Sequence, residues 1–165
     1  MEDIKLSGII EESYTDGIGI RYTIFVQGCA HKCYNCQNPE TWDFNSGKFV
    51  KIDTLITAIK ANPLLDGVTI SGGDPMYQPL QIFDLVKRIK QETNLNIWIY
   101  TGFTYEECIK NKDMLKILEY TDVLVDGPYK ESDRSLQLRF RGSKNQRIID
   151  VQKSLKNNNV SILLD

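Results

Sequence analysis

Three cysteines follow an apolar, strand-like segment and lie close enough together to serve one metal centre. Cys29, Cys33 and Cys36 are separated by three and then by two residues. Thiolates spaced this closely can converge on a metal site without long-range folding. A cubane of four irons has four iron corners, so three cysteines leave one iron able to bind a small molecule. The pattern therefore predicts a catalytic [4Fe-4S] cluster with Cys29, Cys33 and Cys36 as its ligands.

A structural zinc site is the alternative for the same cysteines. Zinc favours four nitrogen or sulfur ligands, so either His31 or Cys108 would have to complete the set. His31, the single histidine, is tightly confined between Cys29 and Cys33, and Cys108 lies in an amphipathic segment where a buried cysteine is usually a small core residue. Zinc motifs also tend to pair their cysteines. The spacing favours the cluster and leaves zinc as the second candidate.

Length and composition limit the classes of protein that fit this chain. Its 165 residues predict one domain, 1–165, and its net charge of −2 offers no general attraction to nucleic acid or to an anionic membrane. No apolar run approaches the roughly 20 residues that span a bilayer, and the first residues lack the apolar core of a signal peptide. We therefore expect a cytoplasmic protein, in which four cysteines indicate metal binding or catalysis rather than disulfides.

Strand-like and helical patterns alternate along the chain. This alternation predicts an α/β fold with a mostly parallel sheet and right-handed crossovers. The predicted strands are 20–27, 67–71, 96–101 and 122–126, and later β-like stretches are 147–151 and 160–164. Three helices are predicted. One is 52–61, one begins at Pro79, and one follows the capping box of Thr104 and Glu107.

Each of the first four predicted strands is followed by a loop that carries glycine or cysteine. The three cysteines follow the first strand, and the other loops open with Gly72-Gly73-Asp74-Pro75, Gly102-Phe103 and Gly127-Pro128-Tyr129. In parallel α/β folds, the loops at the carboxyl ends of the strands gather on one face, where ligands bind. The strand order therefore predicts that these four loops share one rim.

Five blocks of sequence resemble the activating proteins of anaerobic (class III) ribonucleotide reductase, a group within the radical S-adenosylmethionine superfamily. The cysteine spacing alone matches the superfamily, and the later blocks, above all RGSKNQR, match this smaller group. The blocks occur in the family's order and are 25–42, 71–75, 98–103, 125–127 and 141–147.

This resemblance implies a fold, a reaction and partners. The fold would be a partial (β/α) TIM-like barrel of the radical S-adenosylmethionine type. The open iron of the [4Fe-4S] cluster would bind S-adenosyl-L-methionine, and an electron from a flavodoxin-like donor would cleave it to a 5′-deoxyadenosyl radical. That radical would take a hydrogen atom from a glycine in a loop of the partner reductase. Cluster and cofactor carry this chemistry, so no side chain is predicted as a catalytic group.

The resemblance also implies which residues contact the cofactor. Gly72 and Gly73 would let the backbone approach its methionine end, and Asp74 would accept from its ammonium group. The remaining implied contacts are Asn35, Cys36 and Gln37 beside the adenine, Thr101 at a strand end, and Asp126 at the cofactor hydroxyls.

Each of these residues also has a purely structural interpretation. The glycine pair could form a tight turn, Asp74 could cap a turn or a helix, and Asp126 could shape an Asp-Gly-Pro turn. Thr101 has a common strand-end residue type.

Other functions stay open on the sequence. One is an activase of another glycyl radical enzyme, of the pyruvate formate-lyase type, and a second is a cluster- or zinc-containing carrier or binding protein. The basic segment Arg134–Arg147 could be a solvated surface, a phosphate or nucleic-acid patch, or a docking element for the partner. The net charge favours an interpretation with no nucleic acid and no membrane as partners.

Overall fold

A computed structural model describes residues 3–36 and 39–165, and its strands form a single mixed sheet. The strands are β1 (Asp3–Ser13), β2 (Arg21–Val26), β3 (Lys48–Lys51), β4 (Gly67–Gly72), β5 (Asn96–Tyr100), β6 (Val123–Asp126), β7 (Arg147–Asp150) and β8 (Ile162–Leu164). They are ordered β3-β1-β2-β4-β5-β6-β7-β8, so β3 and β8 are the edges.

Five α-helices and three short 3-10 helices connect these strands. The α-helices are α1 (Ile52–Ala61), α2 (Pro79–Glu92), α3 (Tyr105–Lys110), α4 (Lys112–Leu118) and α5 (Val151–Asn157), and the 3-10 helices are Pro39–Thr41, Pro75–Tyr77 and Glu131–Asp133. Within the part of the chain that the structure describes, no helix has the length and apolar character needed to cross a membrane.

The prediction of a mostly parallel sheet is wrong. Three neighbouring pairs are parallel (β2–β4, β4–β5 and β5–β6), whereas four are antiparallel (β1–β2, β1–β3, β6–β7 and β7–β8). Parallel neighbours need a long crossover, which α1, α2 and the α3–α4 pair provide. The strands outside that group are joined without such a crossover. The sheet therefore has a parallel centre and antiparallel flanks.

The predicted strands 20–27, 67–71, 96–101 and 122–126 match β2, β4, β5 and β6 to within a residue or two at each end. The predicted helix 52–61 matches α1. The helix predicted after Thr104 is two helices, because the side chain of Asn111 accepts from the N–H groups of Asp113 and Met114 and starts α4. The capping box of Thr104 and Glu107 is present. The strands β1 and β3 and the helix α5 were not predicted.

The two faces of the sheet differ in chemistry. Side chains alternate along each strand, so Ile24, Ile70, Ile99 and Leu124 share one face, where they are completely buried against the helices. The opposite face, which we call the cavity face, is more polar. It carries Arg21, Thr23, Thr69, Ser71 and Tyr100, beside a small apolar cluster of Trp98, Val123, Val125 and Ile148.

Arg21 is the polar centre of the cavity face and is fully buried. Its Nε donates to the Thr69 hydroxyl at 2.7 Å, and its Nη2 donates to the side-chain oxygen of Asn96 at 2.6 Å. The guanidinium also lies 5.4 Å from the centre of the Trp98 ring. Burial lowers the pKa of Arg21 to about 10. The arginine thus ties β2, β4 and β5 together below the site.

Replacing Arg21 with methionine is expected to lower the free energy of unfolding by about 3 kcal/mol or more, because it leaves buried acceptors on β4 and β5 unpaired. The matched control is Arg88→Met, whose ion pairs with Asp53 and Glu92 lie on the outside of α2 and should contribute about 1 kcal/mol or less. Urea unfolding of both variants measures the difference. Equal losses in the two would contradict this role for Arg21.

Candidate functional site

A cavity of about 110 Å³ lies at the carboxyl ends of the four parallel strands. All three loop cysteines line it, and so do residues from the loops after β4, β5 and β6: Gly72, Gly73, Asp74, Thr101, Gly102, Gly127 and Tyr129. The prediction that these four loops share one rim is therefore confirmed. We call this cavity the cysteine pocket.

Burial makes two of the three thiols of the cysteine pocket less acidic than usual. All four cysteines of the chain lie in the described residues, and none of them forms a disulfide. Burial raises the pKa of Cys29 to about 11, and it also raises that of Cys33, where the N–H of Tyr129 opposes the effect. Because metals bind the thiolate, loading the site releases protons.

The donor set fits a cluster with one open iron. Cysteine thiolates are the usual ligands of iron–sulfur clusters, and three of them line one pocket. Cys108 does not line it: this residue is completely buried in the main core, and burial raises its pKa to about 12. Across residues 3–36 and 39–165, no three His, Cys, Asp or Glu side chains are already arranged to hold a metal ion.

The glycine pair is required by packing inside the protein. Gly72 has φ +102°, and a Cβ there would lie 2.4 Å from the backbone nitrogen of Val26. A Cβ on Gly73 would lie 2.4 Å from the carbonyl oxygen of Gly28, at the start of the cysteine loop. The Asp74 N–H donates to that same carbonyl at 2.9 Å. Close packing against β2 and the start of the cysteine loop therefore accounts for the glycine pair, and it brings the glycines to the wall of the cysteine pocket.

Asp74 connects three of the loops. Its carboxylate is 1% exposed and accepts from the Met76 N–H at 3.0 Å, which caps the 3-10 helix Pro75–Tyr77 as the turn interpretation predicts. It also accepts from the Thr101 hydroxyl at 2.8 Å and from the Gly102 N–H at 2.8 Å. His31 Nε2 lies 2.7 Å from its Oδ2. This hydrogen bond raises the pKa of His31, against the opposite effect of burial.

Asp126 and Asn35, also predicted as cofactor contacts, do not line the cysteine pocket. Asp126 is buried, accepts from the Tyr105 N–H at 2.7 Å and pairs with the guanidinium of Arg147, so its carboxylate holds α3 against β7. Asn35 is exposed and has φ +55°. Gln37, the third predicted neighbour of the adenine, lies outside the described residues.

A larger cavity of about 490 Å³ adjoins the cysteine pocket on the cavity face. The two share Cys36, Ser71, Tyr100, Tyr129 and Gln146. Its other walls come from the end of β1 and the turn after it, from Phe25, and from residues 140–142. Sequence reasoning placed the loop of Tyr129 on the rim but did not single out Tyr100, although alternation along β5 places Tyr100 on the face opposite Ile99.

The RGSKNQR block closes one side of the larger cavity. The side-chain oxygen of Gln146 accepts from the N–H groups of Gly142 and Ser143, and its nitrogen donates to the carbonyl of Gly127 at 3.1 Å. Arg141 donates to the Gln146 carbonyl at 2.9 Å. The block therefore holds a loop of the last quarter of the chain against the end of β6.

Comparison with known proteins identifies the family. A family model described as a 4Fe-4S single cluster domain matches residues 15–149. The anaerobic ribonucleoside-triphosphate reductase-activating protein of Enterobacteria phage T4 is 36% identical over 140 residues, which cover 82% of this chain and 86% of that protein. The protein of the same name from Haemophilus influenzae is 38% identical over 141 residues, with 79% and 88% covered. The chain belongs to this family of activating proteins.

The family match includes every wall of the cysteine pocket. Residues 15–149 contain the three cysteines, the glycine pair and the block that ends at Arg147. The activating protein of Escherichia coli K12 is 36% identical over 138 residues, 79% of this chain and 88% of its own length. A solved structure, that of QueE from Escherichia coli, covers 62% of this chain and 54% of its own with a TM-score of 0.49 and 18% identity; at that distance it is no guide to function.

Proposed function

We propose that this activating-protein family member generates a glycyl radical on an anaerobic ribonucleoside-triphosphate reductase, using a [4Fe-4S] cluster and S-adenosyl-L-methionine. The observation that carries the proposal is that three thiols and three glycine-bearing loops line one pocket at the carboxyl ends of parallel strands. Membership of a 4Fe-4S single cluster family supports it. The named relatives are activating proteins of that reductase.

Different residues of the cysteine pocket would hold the [4Fe-4S] cluster and S-adenosyl-L-methionine. Cys29, Cys33 and Cys36 would hold three irons and leave the fourth open. Backbone at Gly72 and Gly73 would border the cofactor. When bound, cluster and cofactor supply a one-electron reductive cleavage that yields a carbon radical. The task of the chain is to orient the cofactor and keep water from it.

We also propose the fold type, the electron donor and the cellular location of this protein. The parallel centre β2–β4–β5–β6, with its loops on one rim, supports the proposal of a partial (β/α) barrel of the radical S-adenosylmethionine type. The electron comes from a flavodoxin-like donor, and the protein works in the cytoplasm.

The partner reductase completes the site. The larger cavity opens beside Cys36 and Tyr100 and gives the glycine loop of the reductase a path to the cysteine pocket. A carbon radical attacks most C–H bonds, so the site needs to be closed before the radical forms. We propose that the docked glycine loop provides this closure.

Cleavage of S-adenosylmethionine by the reconstituted protein should therefore be at least about tenfold faster with the reductase present, which corresponds to about 1.4 kcal/mol of barrier. The assay measures 5′-deoxyadenosine under anaerobic reduction, and electron paramagnetic resonance detects the glycyl radical on the reductase. A reductase whose target glycine is replaced by alanine is the control and should give no glycyl signal. Equal cleavage rates with and without reductase would contradict the closure by the partner, and absence of any cleavage would contradict the function.

A further inference from the structure

We infer that His31 is a positioning residue that fastens the cysteine loop to the buried carboxylate of Asp74. The inference rests on the proposed function in one respect, since the cluster is what the fastened loop would hold. His31 lies between two of the cysteines in sequence, and its Nε2 is 2.7 Å from Asp74 Oδ2. Neither the family match nor the names of the relatives assign it a role.

Asp74 is a fixed anchor for this contact. Its other donors are two backbone N–H groups, of Met76 and Gly102, and the buried hydroxyl of Thr101. These donors come from the loops after β4 and β5, so they hold the carboxylate in place independently of the cysteine loop. A hydrogen bond to a carboxylate held in this way is stronger than one between neutral groups.

The imidazole ring is also held on its sides. The Phe103 ring meets the His31 ring edge-on, with 4.7 Å between the ring centres. The centre of the Tyr77 ring lies 5.7 Å from that of the His31 ring, and the two rings are tilted against each other. A Cβ on Gly102 would lie 2.7 Å from His31 Nε2, so the ring lies directly against the backbone of that loop. The His31 side chain is only 18% exposed. Few rotamers other than the one that reaches Asp74 are open to it.

The cysteine loop is fastened to the rest of the protein at several points, and His31 supplies a side-chain link near its middle. Its beginning is anchored by backbone bonds, from Gly28 N–H to the Thr41 carbonyl at 2.6 Å and from Cys29 N–H to the Trp42 carbonyl at 3.2 Å. Further along, the Cys36 N–H donates to the Cys33 carbonyl within the loop, and the Tyr129 N–H donates to the Cys33 thiol. The His31 side chain links this segment to the loops that carry Gly73 and Thr101. It thereby fixes the thiols relative to the proposed cofactor wall.

Iron retention tests the inference. Full-length protein is reconstituted anaerobically, and the loss of iron to a chelator is followed at constant pH by the decay of cluster absorbance. We expect His31→Ala to lose iron at least about tenfold faster than the unmodified protein, the size of effect typical of residues that orient metal ligands. His31→Gln, whose amide can still donate to Asp74, should restore retention to within about threefold of the unmodified rate. The matched control is Lys32→Ala, an exposed neighbour, which should not change the rate.

Two further measurements separate positioning from general stability. The iron-free forms of the unmodified protein and of His31→Ala should melt within about 2 °C of each other. In addition, His31→Ala should add nothing to the rate of Asp74→Ala, because both changes remove the same link. Equal iron loss in His31→Ala and Lys32→Ala, no recovery in His31→Gln, or a melting shift in His31→Ala that accounts for the faster loss would overturn the inference. Failure of the unmodified protein to take up iron would instead contradict the proposed function.

Discussion

Replacing Cys36 with alanine is expected to abolish cluster binding, whereas replacing Cys108 with alanine leaves it intact. Cys36 lines both the cysteine pocket and the larger cavity, so in the proposed function its thiol would ligate iron beside the path of the reductase glycine loop. Cys108 is sealed in the main core and its thiol has no access to the pocket. The unmodified protein should hold roughly four irons per chain after anaerobic reconstitution, and Cys36→Ala should hold close to none. Iron and sulfide analysis, together with the absorbance spectrum, measures this.

The Cys108→Ala variant is the control for the loss of any cysteine. It removes a buried sulfur from the core and should lower the free energy of unfolding by about 1 kcal/mol without changing iron content. Iron retained by Cys36→Ala, or lost from a folded Cys108→Ala, would overturn the assignment of the ligands. A colourless unmodified protein that holds zinc would revive the structural zinc site.

The second large effect is expected from Gly73→Ala. The added Cβ would lie 2.4 Å from the Gly28 carbonyl oxygen and 2.9 Å from that of Thr41, and both obstacles are backbone atoms that no change of rotamer can relieve. The loop after β4 and the cysteine loop then have to separate. We expect a loss of about 3 kcal/mol or more in the free energy of unfolding, together with loss of iron binding.

Gly8→Ala is the matched control for this substitution. Gly8 lies in β1, and a Cβ there would meet no atom within 4 Å. Its effect on stability should stay within about 0.5 kcal/mol, as for most surface changes. Urea unfolding of the iron-free proteins and iron analysis after reconstitution compare the two variants. A Gly73→Ala protein that binds iron and unfolds like Gly8→Ala would show that the two loops are not packed as described.

The sequence predicted best those features that depend on residues close together in the chain. The cysteine spacing, the apolar period of α1 and the capping box at Thr104 each depend on residues that are neighbours in the chain, and the rim followed from the strand order. The flanking strands β1 and β3 were missed because they carry mostly exposed side chains, so the alternation of buried residues is weak there.

Contacts between distant residues were the hardest to predict. The family resemblance implied that Asp126 contacts the cofactor, but its partners are Arg147 and the start of α3, which no local pattern reveals. The fourfold coordination of Asp74 likewise depends on donors from residues 31, 76, 101 and 102. Chemical type identified these carboxylates as important, and only the fold determines what they bind.

The walls of the cysteine pocket come from widely separated parts of the chain, and this bears on how the protein matures. Cys29, Cys33 and Cys36 are synthesised more than 100 residues before Gln146, which lines the same pocket. During synthesis the thiols are therefore present for a long interval without the loops that enclose them. A cluster inserted in that interval would be open to solvent and oxygen on several sides. A cluster inserted after residue 146 has been synthesised would be enclosed by every wall of the pocket.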